Sequence, residues 1–161
     1  MGKMKEKRPF GQYFTPPEIA KFMVGLAPFH PESHVLEPSA GEGVFIEALK
    51  DKGYKNIKAY EIDNTLSRAF KCVNYTSFVT ASIEESFDLI IGNPPYKGEG
   101  ETRNAWINSL IDDYRCEPGG IEKLQEQQSK WLGDDYVRFM RLAQYILERT
   151  GLGILSFINP H

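Results

Sequence analysis

His34-Val35-Leu36-Glu37-Pro38-Ser39-Ala40-Gly41-Glu42-Gly43 decides the fold. Two apolar positions, Val35 and Leu36, run into an acid, and a turn with two glycines follows. Val44, Phe45, Ala48 and Leu49 then recur on one helical face, with Gly53 at its stop. A buried strand, a tight turn and a helix are therefore expected in direct succession. Residues 57–62 read as a second strand, so the unit is strand–helix–strand, which pairs in parallel through a right-handed crossover.

Working outward, Thr15-Pro16-Pro17-Glu18 opens a helix carrying Ile19, Phe22, Met23 and Leu26. Thr15 suits its N-cap, Pro16 its first position, and Glu18 completes a capping box. Downstream, Asp63 is expected to cap a helix to about residue 71, and residues 77–83 form a weaker strand candidate. Residues 87–91 are an apolar run broken only by Asp88, ending at Gly92-Asn93-Pro94-Pro95-Tyr96. Residues 97–133 are rich in Gly, Glu, Gln and Asn, with short helical pieces at 106–114 and 121–128. A helix from Asp134 or Asp135 stops at Gly151, and residues 154–158 are a last strand. Nearly continuous apolar strands fit a sheet covered on both faces. Ligands of such sheets bind beyond the carboxyl ends of the strands, where the three polar turns converge.

The composition supports a folded chain. With 161 residues, 41% of them hydrophobic, there is material for one domain with a sizeable core. A net charge of −3 excludes a globally basic nucleic-acid coat, though not a local basic groove. Lys3, Lys5, Lys7 and Arg8 make a basic arm over residues 1–9. No apolar run approaches a membrane span, so no membrane partner is expected. Cys72 and Cys116 lack metal-ligand spacing; they are expected as free thiols in a reducing, cytoplasmic compartment, with no metal site.

Each turn has its own chemistry. Residues 37–43 are not a dinucleotide fingerprint, because Ile46 fills the third glycine position, and the acid opposes a pyrophosphate. An acid beside a Gly turn suits a ligand bearing a cationic amine or hydroxyls. Glu61 lies about twenty residues after the glycines, where a carboxylate can accept from both ribose hydroxyls. At residues 93–96 the prolines stop the ladder and stiffen the loop. The Asn93 side-chain oxygen and the neighbouring carbonyl then stand as two acceptors, with an aromatic ring one step beyond. That set suits a planar amine.

On these motifs the chain resembles the S-adenosylmethionine-dependent adenine-N6 DNA methyltransferases of restriction–modification systems. Phe14-Thr15-Pro16-Pro17 is similar to their N-terminal cofactor motif, residues 37–43 to the cofactor loop, Tyr60-Glu61-Ile62-Asp63 to the ribose-binding segment, and Asn93-Pro94-Pro95-Tyr96 to the catalytic motif. Trp131-Leu132-Gly133-Asp134-Asp135-Tyr136-Val137 is similar to large fused restriction–modification polypeptides. The resemblance implies a doubly wound, mostly parallel Rossmann-like α/β sheet, truncated after the fifth strand. It implies one catalytic domain over residues 1–161, incomplete, with 97–133 as a variable insertion and no target-recognition domain. It implies S-adenosyl-L-methionine as cofactor, with Thr15, Glu37, Ser39, Gly41, Gly43, Glu61, Ile62 and Phe78 in contact with it, although Ser77 stands where the family carries an acid. Asn93, Pro94, Pro95 and Tyr96 are implied as catalytic. The implied partners are duplex DNA with a flipped adenine and a recognition domain or subunit outside this chain. Lys97, Arg103 and Trp106 are candidate nucleic-acid contacts. Two alternatives stay open: methylation of a release-factor glutamine or an RNA base by the same loop, and a non-catalytic cofactor-binding fragment.

Overall fold

A computed structural model describes residues 13–28, 30–66, 68–96, 105–117, 120, 122–124 and 132–159. The basic arm, Lys97, Arg103, Trp131 and most of the helix expected at 121–128 lie outside the described residues.

The chain runs α1 (Pro17–Leu26), β1 (His34–Glu37), α2 (Val44–Lys52), β2 (Asn56–Tyr60), β3 (Val73–Asn74), β4 (Leu89–Gly92), α3 (Ala105–Asp112), α4 (Asp135–Thr150) and β5 (Ile154–Phe157). The five strands form one parallel sheet in the order β3-β2-β1-β4-β5. Strand order reverses between β1 and β4, the point beyond whose carboxyl ends sheets of this kind bind their ligands. The expected α/β, doubly wound architecture is what the chain adopts.

Both faces are covered because successive side chains alternate. Val35, Leu89 and Ile91 point to one face, where Ala20, Met23 and Val24 of α1 and Phe45, Ala48 and Leu49 of α2 close over them. Leu36 and Ile90 point to the other, against Ile107 of α3 and Phe139, Leu142, Ala143 and Ile146 of α4. This is the physical content of apolar strands that show no polar alternation. α2 leaves the turn at Gly43 (φ 90°) and ends at Gly53 (φ 102°), whose N–H donates back to Leu49 and Lys50. Lys52 Nζ donates to the Val24 and Ala27 carbonyls at 2.7 and 2.9 Å, satisfying orphan acceptors at the end of α1.

Three local expectations fail. Among the described residues after Asp63 there are turns and no helix; the Asp63 carboxylate instead accepts from the Thr65 N–H and hydroxyl. That stretch is mostly exposed, so no apolar face could stabilise a helix. The third strand is Val73–Asn74, whereas Phe78–Thr80 form a 3-10 turn that sends two successive side chains, Phe78 and Val79, into the core. A strand would have put them on opposite faces. Lys123 pairs with Cys116 in an isolated antiparallel bridge, which excludes a helix at that point of 121–128.

Candidate active site

Glu37 is the last residue of β1 and is fully buried. Its Oε1 accepts from the Ser39 N–H at 3.3 Å, and its Oε2 has no hydrogen-bond partner. Gly92, the last residue of β4, admits this carboxyl: a Cβ there would stand 2.5 Å from Glu37 Oε1. Burial pushes the carboxyl well above the usual range; the Ser39 N–H pulls it down and the neighbouring Glu61 pushes it up. A buried acceptor with no partner costs free energy, so this corner is built to receive a donor.

Glu61 follows β2 directly and is 5% exposed. Its Oε2 accepts from the Gly41 N–H at 2.7 Å and its Oε1 from the Asp63 N–H at 2.9 Å. One carboxylate thus ties the glycine turn to the end of β2 and retains lone pairs for further donors. Gly41 and Gly43 have φ of +54° and +90°, a region that side chains disfavour. Space forbids a side chain at Gly43 as well, since a Cβ would meet the Phe70 ring at 2.2 Å. At Gly41 it would lie against Phe14, so the 13–15 segment sits on the glycine turn.

The loop after β4 completes the site. Ser39 Oγ donates to the Asn93 carbonyl at 3.1 Å, joining the two strand ends across the reversal point. Asn93 Nδ2 donates to the Tyr13 carbonyl at 3.0 Å and to Thr15 Oγ1 at 3.2 Å. Asn93 Oδ1 is buried and has no partner. Pro94 is buried, and the Tyr96 ring stacks on Tyr13 with centroids 5.4 Å apart. Burial raises the Tyr96 phenol above its ordinary value, Tyr136 adds to that, the Asn93 side chain donating towards it pulls it down, and Tyr13 pushes it up slightly. Among the described residues three buried side-chain atoms lack partners, and two of them, Glu37 Oε2 and Asn93 Oδ1, belong to this corner.

The structure thus brings together Thr15, Glu37, Ser39, Gly41, Gly43, Glu61 and residues 93–96. Ile62 is beside them and 51% exposed, an apolar surface available to a planar group. Two readings are corrected. Thr15 does not cap α1: Pro16 is the N-cap, with no side-chain cap bond, and the threonine hydroxyl turns to Asn93. Phe78 is 1% exposed, packed between Tyr60 and Phe139, and offers no surface to a ligand. Tyr13 went unforeseen; an aromatic immediately before Phe14-Thr15-Pro16 was the available signal. Among the described residues no group of three or more His, Cys, Asp or Glu could hold a metal ion. No described helix is long and apolar enough to cross a membrane.

A family model described as Eco57I restriction-modification methylase matches residues 18–161. Type II methyltransferase M.HincII of Haemophilus influenzae is 43% identical over 120 residues, covering 66% of this chain and 24% of its own length. Type II methyltransferase M.TthHB8I of Thermus thermophilus is 37% identical over 163 residues, covering 95% of this chain and 35% of its own. The chain therefore spans about a quarter to a third of the length of these curated relatives. Among solved structures, a type I restriction-modification methyltransferase subunit from Streptococcus thermophilus superimposes with a TM-score of 0.62 at 17% identity, covering 96% of this chain and 35% of that one. The DrdV–DNA complex gives a TM-score of 0.55 at 21% identity, covering 91% of this chain and 20% of that one. At those identities the likeness is one of fold.

Proposed function

The chain belongs to the Eco57I restriction-modification methylase family, and from that premise we propose that it transfers a methyl group from S-adenosyl-L-methionine to the exocyclic N6 amine of adenine in DNA, within a restriction–modification system. The observation that carries the reading is the unpartnered Oδ1 of Asn93, aligned by the two acceptors on its nitrogen.

The adenine amine is conjugated with its ring and is a poor nucleophile. Asn93 Oδ1 and the Pro94 carbonyl would accept its two hydrogens, drawing the nitrogen towards tetrahedral geometry and exposing its lone pair. The nitrogen would take the methyl group as the sulfur–methyl bond breaks to leave a neutral thioether, and would release one proton to solvent, with no covalent intermediate on the protein. Pro94 and Pro95 contribute rigidity, so the acceptors need no reorganisation as charge develops. A duplex target must leave the stack at a cost of a few kcal/mol, and Tyr96, steadied by Tyr13, would stack on the extruded base.

The residues around β1 and β2 fit the cofactor. Glu37 Oε2 is a buried acceptor in want of a donor, and an ammonium group supplies one. Glu61 retains lone pairs for ribose hydroxyls, and Ile62 offers an exposed apolar surface for the cofactor's adenine. Ser39, Gly41 and Gly43 form the turn between them, with Thr15 on the wall towards the methionine part. When bound, the cofactor supplies an electrophilic sulfonium methyl. Two acids at one corner favour a cationic ligand over a phosphate-bearing one. We read residues 1–161 as a catalytic domain, with base recognition supplied by a domain or subunit outside it. The cellular compartment we propose is the cytoplasm.

The test is methyl transfer from labelled S-adenosylmethionine to DNA, RNA and a release factor offered in parallel. Label recovered as N6-methyladenine from DNA is expected. Label in RNA or glutamine would move the reading to those substrates, and cofactor binding with no transfer to any of them would make this a binding module.

A further inference from the structure

Asn93 carries the proposed chemistry, yet its carboxamide has two ends of nearly the same shape and opposite function. One is an acceptor; the other donates twice. Rotation about the last side-chain bond exchanges them with little steric penalty. A flipped carboxamide would set N–H against the N–H of the target amine and leave that amine conjugated. Residues 93–96 alone do not choose between the two.

The choice comes from the other end of the chain. Both acceptors of Asn93 Nδ2 precede α1: the Tyr13 carbonyl at 3.0 Å and Thr15 Oγ1 at 3.2 Å. A carbonyl oxygen can only accept, so a flipped form would oppose it with Oδ1 and lose that bond outright. The Thr15 hydroxyl, which could equally donate to a flipped Oδ1, accepts the second hydrogen and fixes the amide in place, while the Tyr13 carbonyl sets its sense. Oδ1 is then the one end left over, and it is buried without a partner. A second observation points the same way. Thr15 stands where a helix cap is wanted, but α1 has no side-chain cap, so the hydroxyl is withheld from the helix and given to Asn93.

We propose that the Tyr13 carbonyl and the Thr15 hydroxyl form an orientation lock on the Asn93 carboxamide, and that Thr15 is a positioning residue for the transfer step as well as a wall of the cofactor site. This rests on the function proposed above. It assigns the N-terminal motif a part in chemistry at a loop distant in sequence. The Tyr13 side chain is not needed for the lock, since its carbonyl is main chain.

Three variants and two readouts test it. Thr15→Val keeps the shape and removes the acceptor; Thr15→Ser keeps the hydroxyl; Thr15→Ala serves should the valine not fold. The full chain is assayed at saturating cofactor and DNA, with cofactor affinity measured separately by calorimetry. The lock predicts about a tenfold fall in kcat for Thr15→Val, little change in cofactor affinity, and recovery of most of the rate in Thr15→Ser. Weakened cofactor binding with kcat intact, or a serine variant no better than valine, would overturn it. The second readout needs no activity. In a 15N-labelled sample the Asn93 side-chain amide resonances, assigned by their loss in Asn93→Asp, should exchange slowly with solvent and exchange faster in Thr15→Val. Equal exchange in both would overturn the lock. A chain that methylates no DNA but shows this difference would keep the lock and remove the proposed function.

Discussion

At the corner between β1 and β2 a carboxylate meets main-chain N–H groups, while at the corner beyond β4 a carboxamide is held by its nitrogen and open at its oxygen. Glu61 gives one lone pair of each oxygen to the Gly41 and Asp63 amides, so the frame around the glycine turn is already tied together while acceptor capacity remains for a ligand. Asn93 uses only its donor end, and Oδ1 stays buried with nothing to accept. Such an unmet acceptor costs about 1–3 kcal/mol in the folded state. The first corner is thus a frame that secures itself, and the second holds binding capacity in reserve. Glu37 lies between the two types, with one oxygen bonded and one vacant.

Removing the reserved acceptor should have the largest effect. Asn93→Ala is expected to lower methyl transfer by roughly 10²–10³-fold, as for loss of one preorganised polar partner, while calorimetry still detects cofactor binding. Gly43→Ala attacks the frame: the left-handed backbone and the displaced Phe70 ring together should cost about 3 kcal/mol in urea unfolding. Glu61→Ala should cost about 2 kcal/mol by removing the carboxylate that accepts from the Gly41 and Asp63 amides, with faster hydrogen exchange at those two sites.

The smallest effect depends on pH. With no cation beside it, burial keeps the proton on Glu37 in the fold at pH values where the unfolded chain has lost it; an ammonium ligand would favour the carboxylate. The native state then binds more protons, so this group's contribution is complete below the ordinary carboxylate range and is lost as pH rises through the raised value. Glu37→Gln cannot ionise. It should melt close to the parent in acid and above it towards neutral pH; a melting difference independent of pH would contradict the burial argument.

How far the sequence disclosed this molecule follows from which forces act locally. β1, its turn and α2 were legible because apolar run, acid, glycines and helical periodicity occupy one short stretch, and the same holds for β4 and its prolines. Two-residue β3 is too short to leave a pattern, and Phe78–Thr80 looked strand-like although tertiary packing drew Phe78 and Val79 into the core together. Glu37, Glu61 and Asn93 could be placed at strand ends from the runs that precede them. The link from residues 13–15 to Asn93 was not, because it joins segments 78 and 80 residues apart and competes with a plausible helix cap. A local rule gave Thr15 a local task; the fold gave it a distant one.

The central claim concerns one atom, and a structure of the chain with DNA and an unreactive cofactor analogue tests it directly. The account predicts an amino nitrogen of an extruded adenine about 2.9 Å from Asn93 Oδ1, with Nδ2 still bound to Tyr13 and Thr15. A carboxamide turned so that its nitrogen faces the base, or an Oδ1 occupied by a group of the protein itself, would contradict it.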